Sequence, residues 1–184
     1  MIAHLGESVW PDFGVPTIRS IGIQLGRIPR FCGATREWYP VLSHVIVVAQ
    51  LLPAHLRIHG LLHDAPEAIV SDVPSTWKTQ ASRLHEETLL DRIYDELGIT
   101  HIGYDDSATL KHADITALAA EAHVLGHPAA DEYWPHPDLT AMRLTEKRLA
   151  LGSSTIDPKI AGPLYVECVD TALRFASIPP EVTT

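Results

Sequence analysis

The sequence predicts an all-α fold. From residue 17 almost to the end, apolar residues recur three and four positions apart, the spacing of one helix face. No segment alternates with the period of two that marks a half-buried strand, and no repeat or low-complexity stretch interrupts the pattern. A chain of 184 residues with 46% hydrophobic content can bury a substantial core. One domain over residues 1–184 is the expectation.

Residues 1–16 mix proline, glycine and aromatic residues in irregular order and read as an arm rather than a helix. A motif-bearing helical core then spans 17–125. Its first helix is predicted over 17–28, with Ile18, Ile21, Leu25 and Ile28 on one side. A polar-aromatic connection follows at 29–39. Pro40 suits the first turn of the next helix, which runs to about Leu52 and is apolar on nearly all sides, so a central place is expected for it. A third helix covers about 54–64. Pro66 and Pro74 break residues 65–78 into short turns and loop.

Residues 80–97 return to a clear amphipathic pattern through Leu90, Ile93, Tyr94 and Leu97, and Gly98 is a stop signal. A helix over 105–125 is expected to be capped by Asp105, Asp106 or Ser107. Its apolar side should hold Leu110, Ile115, Leu118, Ala122 and Leu125. The C-terminal part, 126–184, opens with a proline-rich loop at 126–138 and continues with helices at about 138–151 and 157–177.

Charge and composition remove several function classes. A formal net charge of −9 disfavours long nucleic acid, which needs a basic face, but leaves room for a small phosphorylated ligand neutralised locally. No stretch approaches the ~18 apolar residues of a membrane span, and the start MIAHLGESVW lacks the basic segment of a secretory signal. The two cysteines, Cys32 and Cys168, make no disulfide framework, so a cytoplasmic protein is expected. There is no P-loop, dinucleotide fingerprint or CxxC pair.

The chemistry concentrates around HGLLHDAPEAIVSDVP at residues 59–74. His63 and Asp64 end an apolar helical run and can turn an imidazole and a carboxylate towards one divalent cation. His44 on the preceding helix and Asp114 on a later one complete a His2Asp2 set. Such a set leaves positions open on a six-coordinate ion and suits Co, Mn, Zn, Ni, Fe or Mg. Each residue has a simpler reading when taken separately. His44 would be a hydrogen-bonded core histidine, Asp114 a helix-surface acid, Glu67 a first-turn acid and Asp72 a turn residue. His59 and His63 also share the spacing of a zinc-protease helix, but position 60 is Gly where that motif needs Glu.

The joint order of these pieces resembles the HD-domain phosphohydrolase superfamily, in particular its small single-domain nucleotidases: bacterial 5′-deoxynucleotidases and phage deoxynucleotide phosphohydrolases. The similarity runs from about residue 21 to about 125. It rests on IPRF at 28–31, REWYPVLSH at 36–44, LLHDAPEAIVSDVP at 61–74 and KHADITALAAEA at 111–122. The resemblance implies an HD-type helical bundle with a metal site at its centre. It assigns His44, His63, Asp64 and Asp114 as metal ligands. Glu67 would orient or activate the attacking water, and Asp72 would stand near the phosphate as donor to the leaving group. Arg30 would face the substrate, followed by Phe31 where the bacterial enzymes carry Trp.

Charge developing on the phosphoryl oxygens calls for cations on the side away from the metal. Arg30, Arg36, Lys78 and Lys111 are the candidates, with Lys78 close to the Asp72 loop and Lys111 three residues before Asp114. The expected reaction is attack of a metal-activated water on the α-phosphorus of a deoxynucleotide. A dNTP triphosphohydrolase preferring dATP is favoured, with a 5′-nucleotidase of deoxynucleoside monophosphates as the alternative. A non-catalytic nucleotide- or metal-binding regulatory domain and a zinc-stabilised structural bundle are the readings from other classes. The resemblance also implies a homo-oligomer, located in the host cytoplasm if the chain is phage-encoded.

Overall fold

All regular structure among the described residues is helical, apart from an isolated antiparallel bridge between Pro29 and Pro40. The computed structural model describes residues 16–74, 76–151 and 157–176. The elements are α1 (Ile18–Leu25), α2 (Val41–Leu51), α3 (Arg57–Leu62), α4 (Glu67–Val70), α5 (Gln80–Leu97), α6 (Tyr104–Val124), α7 (Ala130–Tyr133), α8 (Leu139–Leu149) and α9 (Pro158–Ala176). Single 3-10 turns occupy Arg30–Gly33 and Ala54–Leu56. The expected N-terminal arm lies outside the described residues except for Pro16. No helix among the described residues is long and apolar enough to cross a membrane.

Helix α2 is the hub, as its all-round apolar character predicts. Every residue from Val41 to Ala49 is buried, and α2 packs against α1, α3, α6, α8 and α9. One core cluster joins α1, α2, α3, α5 and α9 through Ile21, Leu42, Val45, Ile58, Leu62, Ile93 and Tyr165. A second joins α2 to α6 through Val47, Val48, Ala113 and Ala117. Close approach is written into the sequence at Gly60. A Cβ there would lie 3.0 Å from the Ala49 Cα and 2.6 Å from a Leu52 methyl, so only glycine lets α3 meet α2 this tightly.

Several expectations change. Helix α1 ends at Leu25, and Ile28 belongs instead to the connection, where its carbonyl accepts from the Val41 amide at 3.0 Å. Helix α6 buries Ala113, Ala117, Ala120, Glu121 and Ala122, while Ile115 is 47% exposed. Small residues carry most of this contact, with Leu110 partly buried beside Ala113 and Ala117, and the expected Ala122 and Leu125 are buried. The α6 N-cap is Gly103 rather than Asp105, Asp106 or Ser107. The two aspartates fall in the first turn, where the helix dipole favours them. The predicted loop at 126–138 contains α7. The stop at Gly98 is observed in the left-handed conformation, φ 64°.

Candidate metal centre

Three helical segments converge on one point. Helix α2 supplies His44, the C-terminal end of α3 supplies His63 with Asp64 beside it, and α6 supplies Asp114. Ligand atoms of His44, His63 and Asp114 all lie within 4.8 Å of one another. The Asp114 Oδ1 is 3.3 Å from His44 Nε2 and 3.9 Å from His63 Nε2. The Asp64 Oδ2 is 3.5 Å and 3.3 Å from the same two nitrogens. His44, His63 and Asp114 thus form a group that could hold a metal ion, and the Asp64 carboxylate lies beside both imidazoles.

The tautomers follow from the outer partners. The Gly60 carbonyl can only accept, so His63 donates through Nδ1 at 2.8 Å. The Glu121 carboxylate accepts from His44 Nδ1, 3.0 Å from each oxygen. Both histidines therefore turn Nε2 to the common point, and both Nε2 atoms are buried without a hydrogen-bond partner. Two ligands held ~2.1 Å from one ion are about 3.0 Å apart at a right angle and about 3.6 Å apart at 120°. Three of the four separations, 3.3, 3.3 and 3.5 Å, fall inside that range, and the fourth, 3.9 Å, lies just above it. Ligands that orient each imidazole through its far nitrogen are the usual second layer of a metal site.

Electrostatics agree with a demand for positive charge. Asp64, Glu67, Asp72, Asp114 and Glu121 crowd a region whose cationic side chains include Arg30, Lys78, Arg83 and Lys111. Burial and Arg30 pull the His44 pKa down, but Glu121 and Asp114 outweigh them and raise it to about 10. His63 is also raised, Asp64 overcoming burial. Burial works to raise Asp64 and Asp114, yet the two histidines hold both well below the usual carboxylate range. The upward shift of both imidazoles reflects the negative charge around them, which a cation between these groups would also meet.

Glu67, in the first turn of α4, is buried, and its Oε2 has no hydrogen-bond partner. Burial first, then Asp64 and Asp72, push its pKa up to about 9 against Arg30 and Lys78. Asp72 follows Ser71, whose φ of 71° is strained for a non-glycine residue, and accepts from Arg30 Nη1 at 3.4 Å. Burial raises the Asp72 pKa against the opposing effect of Arg30. A cavity of about 200 Å³ opens between His63, Asp64, Glu67 and the α5 side chains Arg83, Glu86, Glu87 and Leu90.

Arg30 is buried among Asp64, Asp72 and Glu121, with N–O distances of 3.9, 3.4 and 3.6 Å. Phe31 and Cys32 both take left-handed backbone, φ 53° and 52°, and the Phe31 ring lies against His127 with centroids 5.0 Å apart. The two lysines are engaged by acids. Lys111 donates to Asp114 Oδ2 at 2.7 Å, while Lys78 donates to Glu86 at 2.8 Å and lies 3.6 Å from Glu67. Arg36 packs against Gly126, and its amide donates to the Leu125 carbonyl at 3.0 Å. His59 hydrogen-bonds the Tyr94 hydroxyl and takes no part in the centre.

Sequence reasoning missed Glu121, fully buried behind His44. A signal existed: it lies seven residues after Asp114, two turns along the same face of α6. Glu86 was also missed, and its pattern gives no signal among the other acids of α5.

No family model matches the chain. A curated relative is the uncharacterized protein YfdR of Escherichia coli (strain K12), 31% identical over 120 residues. The match covers 64% of this chain and 65% of that protein, so it spans just under two thirds of the relative's length.

Proposed function

We propose that the chain is a divalent-metal-dependent phosphohydrolase of the HD type acting on deoxynucleotides. One observation carries the reading. Two buried imidazoles, each oriented through Nδ1, turn unpartnered Nε2 atoms to a point shared with Asp64 and Asp114, and an unpartnered buried carboxylate oxygen of Glu67 lies nearby.

His44, His63, Asp64 and Asp114 would hold the metal. When bound, a divalent ion acts as a Lewis acid and brings the pKa of a coordinated water towards neutrality. With positive charge offsetting Asp64, and with Asp72 protonated, Glu67 is a carboxylate and accepts the proton of the attacking water. The water oxygen bonds to the α-phosphorus, and the bond from phosphorus to the sugar oxygen breaks. Asp72, whose pKa is raised, delivers a proton to that leaving oxygen. Arg30 neutralises charge growing on the phosphoryl oxygens, and Phe31 offers a ring beside it. The cavity is below the ~300–1,000 Å³ of usual ligand pockets, so it fits the phosphate end better than a whole nucleotide.

Release of triphosphate from dNTPs, dATP among them, is favoured over dephosphorylation of monophosphates, because Lys78 and Lys111 both stand at the site. Incubation with dAMP and with dATP in Mn or Co, followed by product identification, tests this. Deoxyadenosine with triphosphate is expected. Phosphate from dAMP with dATP untouched selects the 5′-nucleotidase, and no hydrolysis of either by metal-loaded protein removes the enzyme reading.

A further inference from the structure

We propose that Glu121 is a positioning residue that sets two functional side chains at once, the metal ligand His44 and the substrate-facing Arg30. The inference rests on the metal-centre reading above.

Glu121 is fully buried, and its partners are unusual for a structural carboxylate. Its oxygens accept from His44 Nδ1, 3.0 Å away, and Oε2 lies 3.6 Å from Arg30 Nε. Both partners present their other ends to the centre. His44 turns Nε2 to Asp64 and Asp114, and Arg30 turns Nη1 to Asp64 and Asp72. One carboxylate thus braces the back of both groups.

Three consequences follow from the chemistry. An ionised carboxylate has no proton to give, so His44 must donate through Nδ1, which leaves Nε2 as the ligand atom. Negative charge behind the ring makes that nitrogen a better donor to a cation. The same charge offsets Arg30, which otherwise adds a positive charge next to a site for a dication. Helix α6 also carries Asp114 two turns before Glu121, so a ligand and its brace move as one rigid element. A stability role by itself would need none of this aim at the centre.

The test measures Mn and Co binding by calorimetry, and kcat and KM with a nucleotide, for the wild-type chain and Glu121→Gln. The amide keeps the shape and still accepts from His44, but it loses the charge. The expected result is metal affinity lowered ~10–100-fold and a raised KM, with an unchanged circular dichroism spectrum. A lower melting temperature with unchanged metal affinity and KM would reduce Glu121 to a structural residue and overturn the proposal. A second readout needs no variant: nitrogen NMR of the wild-type imidazoles with zinc should show His44 protonated at Nδ1 and metal-bound at Nε2. The reverse assignment overturns the proposal. If the wild type binds none of these metals, the centre itself fails, which is distinct from a centre that binds metal equally well without the Glu121 charge.

Discussion

Substituting Gly60 with alanine adds one methyl group where α3 crosses α2. That methyl would sit 2.6 Å from the Leu52 Cδ1, 3.0 Å from the Ala49 Cα and 3.1 Å from the Ala49 amide nitrogen. The leucine tip can rotate, but the Ala49 backbone is fixed inside the fully buried stretch of α2. Carbon pairs relax at about 3.5–4.0 Å, so the helices must part by roughly half an ångström or more. Overpacking of this kind costs about 1–3 kcal/mol, and the better helix propensity of alanine returns up to about 1 kcal/mol. The net loss, roughly 1.5 kcal/mol at the middle of these ranges, lowers the melting temperature by about 2–4 °C per kcal/mol for a chain of this size. The displacement also moves His63 away from His44, since the Gly60 carbonyl holds His63. Metal affinity should therefore fall together with stability. Gly103→Ala is the control, because a Cβ there meets nothing within 4 Å. Denaturant unfolding with and without Mn, plus a metal titration, reads both effects. A Gly60→Ala protein as stable as wild type, with unchanged metal affinity, would refute the reasoning.

Arg30→Met leaves Asp64, Asp72 and Glu121 facing one another without their shared cation, so unfolding should show a loss of about 3 kcal/mol that added divalent metal partly restores. An undiminished stability in chelator would contradict this. His59 gives a pH test. Burial lowers its pKa below the ordinary value, so the folded state favours the neutral ring. The associated stability is complete above the unfolded pKa and is lost as pH falls through the lower folded one. Denaturant midpoints taken from neutral pH down to about pH 5 should drop less steeply in His59→Phe than in wild type; parallel curves would assign the acid sensitivity elsewhere.

Helices α2 and α5 were legible because their signals are local: an apolar run between Pro40 and Pro53, and an amphipathic stripe closed by Gly98. The buried face of α6 was legible only in part, through Ala122 and Leu125, which are buried as expected. Hydrophobicity patterns weight Leu110, Ile115 and Leu118, whereas the packing selects Ala113, Ala117 and Ala120. The ligand set was legible through its order in the chain, which survives without knowledge of the packing. Glu121 was not, because its meaning depends on a contact 77 residues away in sequence. Lys78 and Lys111 show the same limit from the other side. Their positions beside site acids were readable, but only geometry places their ammonium groups on Glu86 and Asp114.

The central claim is that a water activated at the His44, His63, Asp64 and Asp114 centre attacks phosphorus. It is tested most directly by hydrolysis of dATP in water labelled with heavy oxygen, with Mn or Co present, followed by mass spectrometry of both products. The label is expected in the phosphate-bearing product and none in the nucleoside, with turnover abolished in Asp64→Ala. Label in the nucleoside, or undiminished turnover in Asp64→Ala, would contradict it.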